Sequence, residues 1–394
     1  MSLNPAGRQP AKVQVPLTGT SLFYSLMAEL KRYPDGISLG RGDPDFTTPS
    51  HILEAVRGWL DAPEADLRAP GRVRSELLAA IAARLRNING IDVDPATEIV
   101  LTQGGQEAIF LMVQTALGPG DEIIVPEPNY SSYADAIAFA GAVQVPVRTR
   151  IDENFVLDPD RVRAAVTPRT RALVMVSPNN PTAAVLSPDR VEALTAIAEE
   201  HDLIILADDI YDRFLYDGHV HTSPASLDGM KARTLTLNAL SKMYAMTGWR
   251  IGWVAGPAPL IEQVARIKEA ASGDLSLLSQ RAGIAALTGP QDGLFEMQTA
   301  YGRRRRIVMD ALDGMRLRYG VPQGGQFILA DISPTGLSSL DLARRLLEEG
   351  HVLVSPGISY GDSWRGFIRM TFLQPEPVLR EAMRRIADVV VRLR

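Results

Sequence analysis

Between residues 99 and 255 the chain repeats one pattern, a short apolar run followed by a longer stretch with helical spacing. The runs hold four or five residues each and lie at 99–102, 122–125, 172–176, 203–207, 234–237 and 251–255. Parallel strands buried on both faces have such runs, and a helix normally makes the crossover between them. The sequence therefore predicts an α/β fold with a large, mostly parallel sheet covered by helices.

The rest of the chain predicts a second, smaller domain. A length of 394 residues exceeds that of one typical domain and indicates two. The Thr-Gly-Pro-Gln-Asp-Gly breaker at 288–293 precedes a long basic helix, strands near 326–330 and 367–372, and a final helix. We therefore predict an N-terminal arm with part of a small domain at 1–44, a large domain at 45–290 and a small C-terminal domain at 291–394.

Composition excludes several kinds of site and partner. The net charge of −5 argues against nucleic acid or an anionic membrane as a partner. The chain has no cysteine, which excludes disulfides, thiolate catalysis and cysteine-ligated metals. The N-terminal residues lack an apolar signal core, and no apolar run approaches 18 residues. The sequence thus predicts a cytoplasmic protein that binds no membrane.

The residues after the apolar runs point to a ligand, because ligands of open α/β sheets bind outside the carboxyl ends of the strands. Gly104, Gly105 and Gln106 follow the first run at a helix start, where backbone N–H groups and the helix dipole favour a phosphate. Tyr130 follows the second run and can stack on a planar ring. Asn180 follows the third run, and its amide can donate to a phenolic oxygen.

The later strand ends add ionisable groups. Asp208 can pair with a protonated ring nitrogen, and Tyr211 can reach the same phenolic oxygen as Asn180. A lysine at a buried strand end, such as Lys242, is costly as an ammonium but not as an imine to a cofactor aldehyde. Arg250 then suits the phosphate. Each residue alone fits an ordinary turn or loop, but the ordered set favours a pocket for pyridoxal phosphate.

From about Ser38 onward the chain resembles the fold-type I pyridoxal-phosphate enzymes, specifically class I/II aminotransferases of the aspartate aminotransferase type. The matching segments are Gly-Asp-Pro-Asp-Phe at 42–46, Gly-Gly-Gln-Glu-Ala at 104–108, Pro-Glu-Pro-Asn-Tyr at 126–130, Ser-Pro-Asn-Asn-Pro-Thr at 177–182, Asp-Asp-Ile-Tyr at 208–211, Ser-Lys at 241–242 through Gly-Trp-Arg-Ile-Gly at 248–252, and Gly-Phe-Ile-Arg at 366–369. The resemblance implies a seven-stranded type of sheet in the large domain and a small α+β domain built from both chain ends. It also implies a homodimer with shared active sites.

The resemblance assigns roles to individual residues. It implies that Lys242 forms the internal aldimine with pyridoxal 5′-phosphate, and that Asp208 pairs with the ring nitrogen. Together with Tyr211 these are the expected catalytic residues. The resemblance places Gly105, Gln106, Tyr130, Asn180, Ser241 and Arg250 around the cofactor. The substrate α-carboxylate is expected to bind Arg369, with Gly42 and Asn180 beside it.

The implied activity is a transfer of an amino group from an L-amino acid to a 2-oxo acid. The implied mechanism is ping-pong, through the Lys242 aldimine and pyridoxamine phosphate. A β- or γ-eliminating lyase or synthase on the same fold is the alternative, because the cofactor pocket barely distinguishes the two. A cofactor-sensing regulator would need a DNA-binding module, and roughly 40 residues before Gly42 are too few for one. The amino acid substrate is left open.

Two arginines fall where the family pattern is incomplete. The family usually has a tyrosine that reaches the neighbouring subunit's phosphate, but this chain has none between Tyr33 and Tyr130. Arg68 is either a substitute phosphate ligand or a solvated charge. Arg41, between two glycines near the expected substrate site, either binds a distal carboxylate or is likewise solvated.

Three further motifs favour ordinary structure. Gly-Ile-Ser-Tyr-Gly at 357–361 matches a hydrolase nucleophile elbow, but no histidine follows its serine, so a loop near Arg369 explains it better. His219 and His221 favour a surface hairpin over a metal site, and we expect no metal. The four arginines at 303–306 spread around a helix, which predicts a solvated or carboxylate-paired face.

Overall fold

The structure is a computed structural model that describes residues 19–62 and 71–393. Arg68 and residues 1–18 of the predicted arm lie outside these ranges. The strands are β1 Ile37–Ser38, β2 Ile99–Thr102, β3 Glu122–Glu127, β4 Val143–Arg148, β5 Thr170–Val176, β6 Ile204–Asp208, β7 Thr234–Ala239, β8 Gly252–Ala255, β9 Phe327–Asp331, β10 Val352–Leu353, β11 Ser355–Pro356 and β12 Phe367–Thr371.

Helices separate most of these strands. They are α1 Gly19–Leu30, α2 Ser50–Leu60, α3 Gly71–Arg84, α4 Gly105–Ala116, α5 Ser132–Phe139, α6 Pro159–Ala165, α7 Pro188–Glu200, α8 Leu240–Met243, α9 Ala258–Ala271, α10 Leu277–Thr288, α11 Asp292–Gly314, α12 Ser339–Gly350 and α13 Glu376–Val391. The predicted breaker at 288–293 falls between α10 and α11, and the predicted long basic helix is α11.

The large sheet has seven strands in the order β2-β8-β7-β6-β5-β3-β4. Its pairs are parallel except at β8, which runs antiparallel to both β2 and β7. The six predicted apolar runs coincide with β2, β3, β5, β6, β7 and β8 within two residues. The predicted α/β fold with a large, mostly parallel sheet is therefore confirmed.

Strand β4 was not predicted. Its sequence, Val-Gln-Val-Pro-Val-Arg, alternates polar and apolar residues and contains Pro146. It lies at the edge of the sheet, where Val143 is half exposed and a proline removes no interior ladder bond. A search for continuous apolar runs detects strands buried on both faces, so it overlooks a half-exposed edge strand.

Both faces of the large sheet are buried, and successive residues point to opposite sides. Val174 of β5 and Leu206 of β6 pack with residues of α4, α5 and α9. Their neighbours Leu173 and Ile205 pack with residues of α6 and α7 on the other face. The side chain of Asp208 points to the same face of the sheet as that of Leu206, because the two residues are two positions apart. The same alternation sets the direction of the other side chains at the strand ends.

A smaller antiparallel sheet, β11-β12-β9, and the parallel pair of β1 with β10 lie beside the large sheet. One apolar cluster joins Leu101 and Trp253 of the large sheet to Ile328 and Met370 of the small one. The predicted limits of the domains, at 44 and 290, stay predictions because the apolar core continues across them.

Within the described residues, no helix has both the length and the apolar character needed to cross a bilayer. The same residues contain no group of three or more histidine, aspartate or glutamate side chains arranged to hold a metal ion.

Candidate active site

A cavity of about 480 Å³ opens at the carboxyl ends of β5, β6 and β7. All eleven residues predicted for the site line it: Gly42, Gly105, Gln106, Tyr130, Asn180, Asp208, Tyr211, Ser241, Lys242, Arg250 and Arg369. A larger cleft, of about 710 Å³, lies along β4 and Trp364 and contains none of them. We assign the site to the smaller cavity, because ionisable groups converge there from distant parts of the chain.

Lys242 enters the cavity from α8, the single turn that follows β7. Its side chain is 16% exposed, and its Nζ donates to the backbone oxygen of Gly42 at 2.7 Å. The same Nζ lies 3.3 Å from Oδ1 of Asp43. Burial lowers the pKa of Lys242, and Asp43 opposes this shift without cancelling it. A larger share of this amine is therefore unprotonated than in an exposed lysine.

Asp208 ends β6 and is buried in the cavity wall. Its carboxylate accepts hydrogen bonds from the hydroxyl of Tyr133, at 3.0 Å, and from the backbone N–H of Ile210, at 3.2 Å. Burial raises the pKa of Asp208 to about 6, although both hydrogen bonds favour the charged form. This carboxylate can accept a buried cation from a ligand, such as a protonated ring nitrogen.

The start of α4 and Arg250 form one end of the cavity. Gly104 precedes the helix with a φ of +83°, and a Cβ atom there would lie 2.6 Å from Nη2 of Arg250. Arg250 itself has a left-handed φ of +56° and donates to the backbone oxygens of Thr247, at 3.0 Å, and Gln103, at 2.9 Å. A helix N-terminus next to a fixed guanidinium forms a cradle for a phosphate.

Arg369, on β12, brings a second, buried guanidinium to the wall of the cavity. Its Nη1 donates to Oδ1 of Asn180 at 3.1 Å, and its Nη2 donates to the backbone oxygen of Gly40. The guanidinium carbon lies 4.7 Å from the centre of the Phe327 ring, which fixes its plane. Its Nε, also buried, has no hydrogen-bond partner among the described residues. The group is held in place and suits a carboxylate.

Sequence reasoning missed two residues that touch the predicted ones, Tyr133 beside Asp208 and Asp43 beside Lys242. Tyr133 is three residues after Tyr130, at the start of a helix, and this spacing was a usable signal. Asp43 belongs to the segment at 42–46 that matches the family, but no sequence signal places it near Lys242. Arg41 lines the cavity, is largely exposed and donates to Asp43, so its binding of a distal carboxylate stays a prediction.

The predicted surface position was wrong for His221 but not for His219. His219 is exposed, but the side chain of His221 is buried and its Nε2 lies 3.2 Å from Oδ2 of Asp209. No hairpin forms at this point. His221 belongs instead to a group that we call the buried ionic cluster, which consists of Arg84, Asn89, Asp209, Asp212 and His221.

Three of the four arginines at 303–306 on α11 are carboxylate-paired, as one of the two predicted alternatives had it, and the fourth, Arg306, is exposed. Arg303 pairs with Glu376, Arg304 with Asp45 and Arg305 with Asp217. The solvated alternative is wrong for Arg304 and Arg305, because both are buried. The Gly-Ile-Ser-Tyr-Gly segment at 357–361 lies near Arg369 as expected, but it forms a short 3-10 helix over Gly357–Tyr360 in place of the predicted loop, and its Ser359 and Tyr360 line the cavity.

The cavity fits pyridoxal phosphate by the chemistry of its groups. Within the described residues it combines an amine, a buried carboxylate with no cation in contact, a helix N-terminus with an arginine, and a second arginine whose Nε has no partner. These match an aldehyde, a ring nitrogen, a phosphate and a substrate carboxylate.

Comparison with known proteins agrees with this geometry. The family model described as aminotransferase class I and II matches residues 34–386. The chain is 40% identical to an aspartate/prephenate aminotransferase of Thermus thermophilus, over 92% of this chain and 94% of that protein. It is 41% identical to an arginine–pyruvate transaminase of Pseudomonas aeruginosa, over 93% of each. The solved N-succinyldiaminopimelate aminotransferase of Mycobacterium tuberculosis superposes with a TM-score of 0.90 at 33% identity, covering 97% of this chain and 100% of that one.

Proposed function

The chain belongs to the aminotransferase class I and II family and is a pyridoxal-phosphate-dependent aminotransferase, and we propose that Lys242, Asp208 and Arg369 carry its chemistry. The observation that supports this assignment is the convergence of these three buried groups on one cavity. When bound, pyridoxal phosphate supplies an aldehyde carbon and a ring that withdraws electrons from the substrate.

Lys242 is suited both to bond a carbonyl carbon and to move a proton. Because burial lowers the pKa of Lys242, more of its amine carries a free electron pair at neutral pH. The Nζ atom can then take a proton from the substrate Cα and return it to a neighbouring carbon. The backbone oxygen of Gly42, 2.7 Å away, accepts a hydrogen from the amine and orients it.

The other residues bind and orient. Asp208 favours a protonated ring nitrogen, because a cation there neutralises its buried charge. Asn180 and Tyr211 can both donate to a phenolic oxygen, and burial keeps the pKa of Tyr211 far above its usual value, so the phenol stays protonated. Arg369 binds the substrate carboxylate through parallel N–H groups. Gly105, Gln106, Ser241 and Arg250 are proposed to hold the phosphate, and Tyr130 to stack on the ring.

The decisive experiment is Lys242→Ala. We expect turnover to fall by at least about 10⁴-fold, because both bonding and proton transfer use this amine. The visible absorbance of the cofactor bonded to the lysine should also disappear. Lys231→Ala is the matched control, since Lys231 pairs with Glu98 away from the cavity and should keep both signals. A Lys242→Ala protein with near-normal turnover would disprove the assignment.

The eliminating lyase or synthase is not favoured, because the relatives are named as aminotransferases. Their names include aspartate, prephenate, arginine and N-succinyldiaminopimelate, which differ in side-chain charge. We propose an L-amino acid and a 2-oxo acid as the substrate pair and a ping-pong order. A panel of amino donors with pyruvate or 2-oxoglutarate tests both points. Formation of pyruvate and ammonia without any acceptor would instead support the lyase.

A homodimer with shared active sites and a cytoplasmic location also stay proposals. The dimer is supported by family membership, and sedimentation equilibrium of the purified protein tests it. A monomer that retains full turnover would contradict the shared site.

A further inference from the structure

Three charged side chains form a line from the cavity to solvent. Nζ of Lys242 lies 3.3 Å from Oδ1 of Asp43, and the other carboxylate oxygen of Asp43 accepts from Nε of Arg41. The exposed fraction of the side chain rises along the line, from 16% at Lys242 to 27% at Asp43 and 65% at Arg41. Asp43 thus contacts a buried cation on one side and an exposed cation on the other.

The other charged groups around Lys242 do not take the place of Asp43. Arg250 and Arg369, from the far sides of the cavity, both disfavour the ammonium form of the lysine. The carboxylate of Asp208 bonds instead to the hydroxyl of Tyr133 and to a backbone N–H. An ammonium formed on Lys242 therefore faces two like charges, and Asp43 is the carboxylate in contact with it.

We propose that Asp43 is a positioning residue that holds the ammonium of Lys242 whenever the lysine is not bonded to the cofactor, and that Arg41 limits how strongly it does so. This inference rests on the proposed function of Lys242 and assigns a new role to its two neighbours. A group that accepts and returns a proton works best when its pKa is near the working pH. Burial and two arginines lower the pKa of Lys242, and Asp43 raises it again.

The two neighbours act in opposite directions, which makes the proposal testable. Removing the charge of Asp43 removes a stabilising contact of the ammonium, so the pKa of Lys242 should fall. Removing the charge of Arg41 leaves Asp43 with a single cationic partner, so the pKa of Lys242 should rise. A general disturbance of the loop at 40–43 would not move the two variants in opposite directions.

The experiment measures the ionisation of Lys242 directly in the pyridoxamine-phosphate-loaded enzyme. The protein is treated briefly with acetic anhydride at a series of pH values, and acetylation of Lys242 is quantified by peptide mass spectrometry. Acetylation of Lys231, measured in the same digest, is the internal reference. We expect Asp43→Asn to lower the pH midpoint of Lys242 acetylation by about one pH unit. This shift corresponds to about tenfold more unprotonated amine at acidic pH. Arg41→Ala should raise the midpoint, and Asp43→Glu should restore the wild-type value.

The outcomes separate this inference from the proposed function. Protection of Lys242 in the pyridoxal-phosphate-loaded enzyme, and its labelling in the pyridoxamine-phosphate form, test the role of the lysine. The midpoints of the variants test the roles of its neighbours. An unchanged midpoint in Asp43→Asn, or shifts of the same sign in both variants, would overturn the inference. If Asp43→Asn does not fold, Arg41→Ala alone tests the proposal. A midpoint of Lys242 acetylation that is unchanged or lower in this variant would refute it.

Discussion

The two sides of the end of strand β6 treat buried charge in opposite ways. Asp208 faces the cavity, where its carboxylate contacts a phenol and a backbone N–H but no cation from residues 19–62 or 71–393. Asp209, the next residue, belongs to the buried ionic cluster with Arg84, Asp212 and His221. The two carboxylates are neighbours in the chain, yet among the described residues Asp208 contacts no cation, whereas Asp209 lies 3.2 Å from the imidazole of His221 and accepts a hydrogen bond from Asn89, which also donates to Asp212.

The members of the buried ionic cluster contact one another. Nη2 of Arg84 lies 2.9 Å and 2.7 Å from the two carboxylate oxygens of Asp212, and its Nη1 donates to Asn89 at 2.7 Å. Asn89 in turn donates to Asp212 at 3.1 Å. His221 is 3.2 Å from Asp209 on the remaining side.

The difference distinguishes a binding group from a structural one. A buried charge with a full set of partners holds elements together, whereas a buried charge without a cation awaits one from a ligand. Substitutions on the two sides of β6 test this distinction.

Asp208→Asn should separate activity from stability. We expect kcat/KM to fall about 10³-fold, because an amide cannot balance a ring cation. The cofactor-free protein should become more stable, by roughly 3 kcal/mol at pH 7. The pKa of Asp208 is raised to about 6, so ionising this carboxyl costs stability above pH 6, and the cost disappears as the pH falls toward the ordinary value of 3.8. Kinetics and urea unfolding at pH 7 and pH 4 measure both effects.

Asp212→Asn is the matched control for this variant, because the carboxylate of Asp212 is paired. Burial alone would raise the pKa of Asp212, but Arg84 and its other partners outweigh burial and lower it. We therefore expect a loss of stability at pH 7, opposite in sign to Asp208→Asn. A cofactor-free Asp208→Asn protein that is less stable than wild type would contradict the comparison.

Arg84→Met should destabilise the fold by about 3 to 5 kcal/mol, because the buried carboxylate of Asp212 then loses the guanidinium that pairs with it. The free energy of unfolding in urea measures the loss. Arg86→Met removes an exposed ion pair with Asp92 and should cost less than about 1 kcal/mol. If both variants lost the same free energy of unfolding, the buried ionic cluster would not depend on the charge of Arg84 for its stability.

Tyr133→Phe removes a hydroxyl group beside the cavity and leaves the buried ionic cluster unchanged. The lost hydroxyl donates to the buried carboxylate of Asp208, and we expect kcat/KM to fall about tenfold and the free energy of unfolding to fall by about 1 to 3 kcal/mol. Tyr244→Phe removes a hydroxyl that bonds Gln291 and should leave kcat/KM unchanged. Equal activity losses in the two variants would argue against a specific role of Tyr133.

His221→Gln should have the smallest effect, and one that depends on pH. Burial lowers the pKa of His221, but Asp209 and Asp212 outweigh it and raise the pKa above its ordinary value. A raised pKa contributes stability that is fully present below about pH 6.5, the unfolded value, and is lost as the pH rises through the folded value. The variant should therefore lose about 1 kcal/mol at pH 5.5 and approach wild type at pH 9, as measured by urea unfolding. A deficit that is the same at both pH values would disprove the charge role.

The sequence predicted those parts of the site whose positions follow from the strands. Asn180, Asp208 and Lys242 each follow a buried run, and the carboxyl ends of neighbouring strands meet at one edge. Arg369 came from family resemblance, because nothing local to β12 indicates where its side chain points.

The rest depended on contacts between distant segments. Asp43 reaches Lys242 only because the segment at 40–43 crosses the cavity. His221 lies in a polar stretch of the sequence that is typical of a surface loop, and the carboxylates that face it, Asp209 and Asp212, come from the turn after β6. Edge strand β4 was missed for the opposite reason, because its exposed positions interrupt the apolar pattern.

The bond from Arg369 to the backbone oxygen of Gly40 joins two points 329 residues apart in the chain. On a translating ribosome, roughly 20 to 60 s separate the synthesis of these two residues. Asp208, at the end of β6, and Lys242, on α8, are therefore synthesised well before the guanidinium that we propose binds the substrate. During each round of synthesis, a nascent chain can present the amine of Lys242 to the surroundings before it contains the arginine proposed to select an amino acid.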